Sequence, residues 1–381
     1  MIDAEASTAR ATVPRHVYVH VPFCGRRCSY CDFAIAVRRE VPVAEFVRGI
    51  TAELGTRLGA PAAAPVDTLY FGGGTPSKLG PDGVRRLLDA VRAFVEPVAQ
   101  AEVTLEANPE DVTPDAVRAW RAAGITRVSL GVQTFEPAVL AWMHRTHSAE
   151  QSERAVALLR EGGIDELSID LIFAVPPELS RDWARDVARG LALEPTHVSV
   201  YGLTVEPQTP LARWTARGAT GAASEDAYEQ EFLATHAACV AAGFEHYEVS
   251  NYARPGRRAR HNSAYWSGVP YLGIGPSAHG FDGAVRRSNR SAYAAWLAAL
   301  PADPVDALDP LDAASRRMEA VYLGLRTTDG LLLESEAEVA ATRSWVDAGW
   351  ATVEGRRVRL TPTGWLRMDA LATALTTLRG V

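Results

Sequence analysis

Six short apolar runs recur along the first half of the chain: His16–Phe23, Val66–Phe71, Glu102–Glu106, Arg127–Val132, Leu167–Phe173 and His197–Gly202. Each is a few residues long and rich in Val, Ile, Leu or Tyr, the pattern of strands buried on both faces. Helix-like segments separate them, among them Gly83–Val95, Thr113–Ala123 and Glu150–Glu161. Thr113-Pro114 reads as an N-cap followed by N1, and Gly124 stands where a helix should end. Strand–helix alternation of this kind predicts a parallel α/β architecture. Six units fall short of the eight of a closed barrel, so an open, partial (β/α)6 barrel of TIM type is expected, with a doubly wound sheet as the alternative.

The later part of the chain reads differently. Residues 206–300 contain a helical stretch (Ser224–Ala242) and then loop-rich sequence, an extension of the barrel over 16–205. Pro301–Pro310, with its prolines and aspartates, reads as a linker. Residues 301–381 predict helices at Ala313–Leu325 and Glu334–Ala348, a hairpin-like stretch at Trp350–Leu360 and a final helix after Thr361-Pro-Thr-Gly364. That order predicts an α+β, winged-helix-like domain. Residues 1–15 read as a flexible tail without the apolar core of a signal peptide.

Composition narrows the classes. The 381 residues are 47% hydrophobic and 22% charged, with net charge −7. The acidity argues against a general nucleic-acid partner and makes the winged-helix-like tail a packing or lid domain rather than a DNA reader. No stretch approaches the ~20 apolar residues of a membrane span, which leaves only peripheral membrane contact. A cytoplasmic location, with reduced cysteines, is expected. Lys78 is the only lysine and fits neither a Schiff base nor a P-loop. Cys239, alone in an Ala-rich helical pattern, reads as a small buried hydrophobe.

The chemistry gathers at one edge. Cys24-Gly-Arg-Arg-Cys28-Ser-Tyr-Cys31 follows the first strand and holds three of the four cysteines. Thiolates suit iron–sulfur clusters, zinc or copper(I). A cube held by four cysteines is coordinatively closed, and one held by three keeps an iron open. A zinc knuckle, which would need a fourth ligand, and plain buried thiols are the alternatives; His20, the nearest histidine, lies inside the strand pattern. Gly72-Gly73-Gly74-Thr75-Pro76 follows strand two, Glu106 and Asn108 end strand three, Gln133 ends strand four, Asp170 lies in strand five and Tyr201-Gly202 ends strand six. Function gathers at the carboxyl ends of parallel barrel strands.

The C-x3-C-x2-C spacing after a strand resembles the signature of radical S-adenosylmethionine (SAM) proteins, in which the open iron is chelated by the amino and carboxylate groups of SAM. Tyr18-Val-His-Val-Pro-Phe-Cys24, GGGTP, Leu105-Glu106-Ala-Asn-Pro109, Gly131-Val-Gln133 and Asp170-Leu-Ile extend this to a resemblance to the oxygen-independent coproporphyrinogen III oxidase family, from about residue 16 to the C-terminus. The resemblance implies a 4Fe–4S cluster on Cys24, Cys28 and Cys31. It implies a SAM site lined by Tyr18, Tyr30, Gly73, Gly74, Thr75, Glu106, Gln133, Arg145 and Asp170, with Thr204 and Ala278 adding contacts.

Two departures divide that family. Its oxidases carry a further cysteine two positions after the third ligand, where this chain has Phe33. They also carry a long N-terminal extension, where this chain has 17 residues before Tyr18. Arg260-His261-Asn262-Ser-Ala-Tyr265-Trp266 and Tyr271-Leu-Gly-Ile-Gly-Pro-Ser-Ala-His279-Gly instead resemble the family's haem-chaperone branch. That resemblance implies haem as a third cofactor, with His261 as the candidate iron ligand, Tyr265 and Trp266 beside it, and His279 as a second candidate. The function implied is haem binding and transfer to an acceptor haemoprotein, with flavodoxin or ferredoxin as a possible type of reductant. The alternative is oxidative decarboxylation of coproporphyrinogen III to protoporphyrinogen IX in porphyrin biosynthesis, driven by a 5′-deoxyadenosyl radical.

Overall fold

The computed structural model describes residues 13–60 and 63–381; most of the tail expected at 1–15 lies outside them. Arg15, which is described, donates to both carboxylate oxygens of Asp67, at 2.9 and 2.6 Å. The six predicted runs form strands β1 (His16–Val21), β2 (Ala64–Gly73), β3 (Val95–Ala107), β4 (Arg127–Gln133), β5 (Glu166–Phe173) and β6 (His197–Gly202). They lie side by side in chain order, each parallel to the next. Helices α1 (Val43–Leu58), α2 (Gly80–Arg92), α3 (Pro114–Ala123), α4 (Ala149–Glu161), α5 (Trp183–Ala192) and α6 (Glu225–Ala241) follow the successive strands.

The helix ends form where the side chains can serve them. Thr113 accepts from the Ala116 amide and Gly124 takes a left-handed φ of 95°. Ser148 and Gln151 close a reciprocal capping box on α4, which satisfies otherwise orphaned amide donors. The apolar runs are buried on both faces: in β4 every residue but Gln133 is buried. One contiguous core links the strands to the helices, with Trp120, Leu88 and Phe46 fully enclosed.

The region after β6 adds to this sheet, contrary to its loop-rich pattern. Strands β7 (Glu245–Glu248), β8 (Asn251–Ala253) and β9 (Leu272–Ile274) extend it to nine strands, in the order β9-β1-β2-β3-β4-β5-β6-β8-β7. The sheet is open, because its edge strands β9 and β7 do not pair. A separate antiparallel sheet contains β10 (His279–Phe281), β11 (Val285–Asn289) and β12 (Val305–Pro310). Its last strand corrects the linker expected at Pro301–Pro310; proline is tolerated because β12 is an edge strand.

The C-terminal residues carry helices Ala313–Arg326, Glu336–Asp347 and Met368–Arg379 around a three-stranded antiparallel sheet (Leu331–Leu332, Ala351–Glu354, Arg357–Leu360). This helix–hairpin arrangement docks on the barrel extension. Arg326 pairs with the buried Glu248 at 2.8 Å, and the Thr328 amide donates to the Tyr247 carbonyl. Among the described residues, no helix is long and apolar enough to cross a membrane. Cys239 is fully buried in α6, and burial pushes its thiol up to about 12.

One buried carboxylate ties the extension to the barrel. Glu53 on α1 accepts from the Gly275 amide (2.9 Å), Asn289 Nδ2 (2.6 Å) and Trp296 Nε1 (2.7 Å). Its side chain is inaccessible to solvent. Glu53→Ala would leave all three donors and Arg57 without this acceptor. The expected cost is about 3–5 kcal/mol, read from the shift of the urea unfolding midpoint against the wild type.

Candidate functional site

The cysteine loop and the glycine loop meet because β1 and β2 are neighbours. The strands pair in register from His16 with Thr68 to Val21 with Gly73. The ladder then continues beyond them: the Gly74 amide donates to Val21 O (2.8 Å) and the Thr75 amide to Phe23 O (2.9 Å). Cys24 Sγ therefore lies 3.4 Å from Thr75 Oγ1. A side chain would not fit the crossing. A Cβ on Gly74 would stand 2.7 Å from the Pro22 backbone, and Gly73, at φ 109°, would push one into the His20 ring.

A cavity of about 820 Å³ opens at this edge. Cys24, Cys28 and Cys31 line it together with the glycine loop. Burial raises the Cys24 thiol and pushes the Cys31 thiol up to about 11, so a metal centre here would displace protons as it binds. Among the described residues, no three His, Cys, Asp or Glu side chains converge tightly enough for a single metal ion. Three thiols lining one cavity are soft donors of the kind that iron–sulfur clusters use.

Two carboxylates face the cavity from β3 and β5. Glu106 accepts from Tyr70 Oη (2.7 Å) and the Gly73 amide (3.0 Å). Burial, reinforced by the neighbouring Asp170, pushes its carboxyl up to about 7 against those hydrogen bonds. Asp170 accepts from Ser129 Oγ at 3.1 and 3.2 Å, and burial pushes it up to about 6. Arg145 supplies the cation. Its Nη2 donates to Asn108 Oδ1 (2.7 Å) and Gly131 O (2.8 Å), and its Nη1 lies 3.6 Å from Cys28 Sγ. The Arg145 Nε is buried with no hydrogen-bond partner among the described residues. Gln133 enters the cavity from a left-handed turn (φ 67°) at an irregularity between β4 and β5.

Tyr30, Gly73, Gly74, Thr75, Glu106, Gln133, Arg145, Asp170 and Thr204 all line this cavity. Tyr18 does not; it faces an adjoining cavity, and its hydroxyl meets His20 Nδ1 at 3.1 Å. Ala278 is buried and lines neither cavity. His261, the candidate iron ligand, is enclosed. It is 1% exposed, with Nδ1 2.7 Å from Thr68 Oγ1 and Nε2 2.9 Å from Tyr265 Oη, so both ring nitrogens are engaged. Tyr265 and Trp266 line the adjoining cavity, while His261 stands behind them. Tyr70 and Ser129, which orient the two carboxylates, escaped the sequence reading because each passes for an ordinary strand residue.

Residues 18–188 match the radical SAM superfamily model. The haem chaperone HemW of Mycobacterium tuberculosis is 38% identical to the chain over 95% of both proteins. The chain belongs to the HemW family. HemW of Escherichia coli is 35% identical over 74% of each chain. The coproporphyrinogen III oxidase HemN of Escherichia coli, a radical SAM enzyme, shares the fold at a TM-score of 0.81 and 22% identity, covering 97% of this chain and 92% of that one. The match to the radical SAM superfamily over residues 18–188 implies a 4Fe–4S cluster and SAM, and the cysteine-lined cavity accommodates that pair of groups in character: soft thiols, a glycine cradle, carboxylates and an arginine.

The close crossing of the glycine loop gives a direct test. Gly74→Ala must displace the Pro22 backbone. It is expected to destabilise the protein by about 1–3 kcal/mol in urea unfolding and to lower the iron retained after anaerobic reconstitution.

Proposed function

We propose that this protein binds haem and passes it to an acceptor haemoprotein, with a 4Fe–4S cluster on Cys24, Cys28 and Cys31 and SAM in the adjoining cavity. The kinship with HemW along nearly the whole chain carries the reading. Phe33 supports it, since it stands where the oxidase pattern has a further cysteine. When bound, the cluster supplies an open iron for SAM and a source of single electrons. The chain's own residues do the holding. Gly73 and Gly74 bring backbone close to the ligand, and Glu106 offers a carboxylate to the N–H groups of its amino nitrogen. Asp170, steadied by Ser129, faces the ribose hydroxyls, and Arg145 faces the carboxylate. Arg145 also fixes Asn108 and the Gly131 carbonyl and lies beside Cys28, so it links the thiol loop to β3 and β4.

The chaperone role is tested by anaerobic titration of cluster-loaded protein with haem. A saturable Soret change near one haem per chain, followed by transfer to an added apo-haemoprotein, is the expected result. Absence of specific binding, with decarboxylation of coproporphyrinogen III by the same preparation, would replace this reading with the oxidase one.

Glu106 makes SAM binding pH-dependent. Burial raises its carboxyl to about 7, and the ionised form is the stronger acceptor for the amino N–H groups of SAM. Affinity should therefore rise about tenfold between pH 6 and pH 8 and level off above. Glu106→Gln should weaken binding and flatten this rise, measured by equilibrium dialysis with reconstituted protein. A profile unchanged by the substitution would remove Glu106 from the amino-group site.

A further inference from the structure

The adjoining cavity is the larger of the two, about 1300 Å³, within reach of a flat macrocycle. Tyr265, Trp266 and Tyr271 give it an aromatic wall. The wall is braced: Tyr265 and Tyr271 meet edge to face at 4.6 Å, and the Arg326 guanidinium sits 4.1 Å over the Trp266 ring. Two histidines line the cavity, His20 and His279. His20 is occupied, with Nδ1 against Tyr18 Oη and Nε2 against Ala34 O, each at 3.1 Å. His261 is occupied as well, and lies outside the lining.

His279 differs from both. Its side chain is exposed to the cavity, and no side-chain hydrogen bond or ion pair engages its ring among the described residues. Its backbone, in contrast, is fixed. It opens β10 opposite Ser288, and Gly273 on β9 packs so tightly on it that a Cβ there would overlap the His279 carbonyl. Two residues earlier, Ser277 holds a left-handed φ of 61° on the same cavity wall. Backbone in that region is costly for a serine and persists where the surroundings enforce it.

The cavity also holds two uncommitted cations. Arg27 donates to Cys31 O and Arg213 to Gln208 O, each at 3.1 Å, and neither forms an ion pair among the described residues. Haem carries two propionates, and a guanidinium is the side chain that pairs best with a carboxylate.

Resting on the haem-binding reading above, we propose that this cavity seats the porphyrin, that His279 gives the iron its axial nitrogen, and that Arg27 and Arg213 pair with the propionates. His261 is then a positioning residue, which holds the Tyr265 hydroxyl and so the aromatic wall. An imidazole nitrogen free of other partners is what the iron requires. Only His279 among these three histidines offers one without breaking a hydrogen bond.

Haem titration of the full-length, cluster-loaded protein decides this, read by the Soret band and by electron paramagnetic resonance of the ferric complex. His279→Ala should lose the histidine-ligated signature and bind about tenfold or more weakly, and added imidazole should restore the signature. His261→Gln should keep the signature. Circular dichroism guards against misfolding, and His279→Gln serves as a second variant at the same exposed position. A wild-type signature retained in both His279 variants, or lost in His261→Gln alone, would overturn the assignment while leaving haem binding intact. Wild-type protein that binds no haem would overturn the assignment together with the reading it rests on.

Discussion

The hydrogen-bond ladder between β1 and β2 is the constraint on which the site depends. Where strand pairing ordinarily stops, this ladder runs on through Gly74 to Val21 and Thr75 to Phe23. The next residue after Phe23 is Cys24. The thiol loop and the glycine loop are therefore parts of one paired structure, with their separation fixed by strand spacing. Glu106 joins the same unit from β3 by accepting from the Gly73 amide. The loop between Cys31 and Ala36 is tied back in turn: Ala36 N donates to Pro22 O and Arg38 N to Cys24 O. Loops held on one ladder give the cavity a fixed frame, which is how a site limits the binding energy spent on ordering.

That rigidity permits an unfavourable charge distribution. Two carboxylates stand buried at the same sheet edge, and burial disfavours their ionised forms. Each is retained by neutral donors, Tyr70 on Glu106 and Ser129 on Asp170, rather than by a direct ion pair. Arg145 takes its partners from an amide and a carbonyl instead of from either acid. Opposite charges that do not cancel one another remain available to a zwitterionic ligand. A direct pair of Glu106 and Arg145 would be easier to bury and would leave nothing to bind with.

The parallel barrel was legible because its strands are buried on both faces, and short Val- and Leu-rich runs such as Val128–Val132, recurring between helical patterns, have few other readings. The added strands were not. Leu272-Gly-Ile274 is too short to show a period, and Val305–Pro310 carries aspartates and a proline that an edge strand tolerates as readily as a loop. At the site, residue types at strand ends announced their positions, which the cavity lining repeats from Gly73 to Asp170. Side-chain direction was the part that a linear pattern withholds. Tyr18 and Glu106 both lie on strands entering the site, yet Tyr18 faces the neighbouring cavity. His261 belongs to a conspicuous motif, yet Thr68 and Tyr265 close it off, and Thr68 stands far away in sequence.

The two cavities are not independent. Cys31, Phe33, Gly73 and Glu106 line both of them, so the thiol loop and the glycine cradle form their common wall. Phe33 stands on this wall with 60% of its surface exposed. A phenyl ring left in water forgoes roughly 25 cal/mol for each Å² that burial would remove. Its exposure reflects position: the ring projects from a loop pinned at both ends, toward space bounded by two binding-type cavities. A cysteine at this place would offer a thiol to the reacting centre. Phenylalanine offers only apolar area, which can hold a flat apolar ligand but cannot take part in proton or electron transfer. One of the residues at which this chain departs from the oxidase pattern thus presents apolar area instead of a thiol, at the point where the two cavities meet.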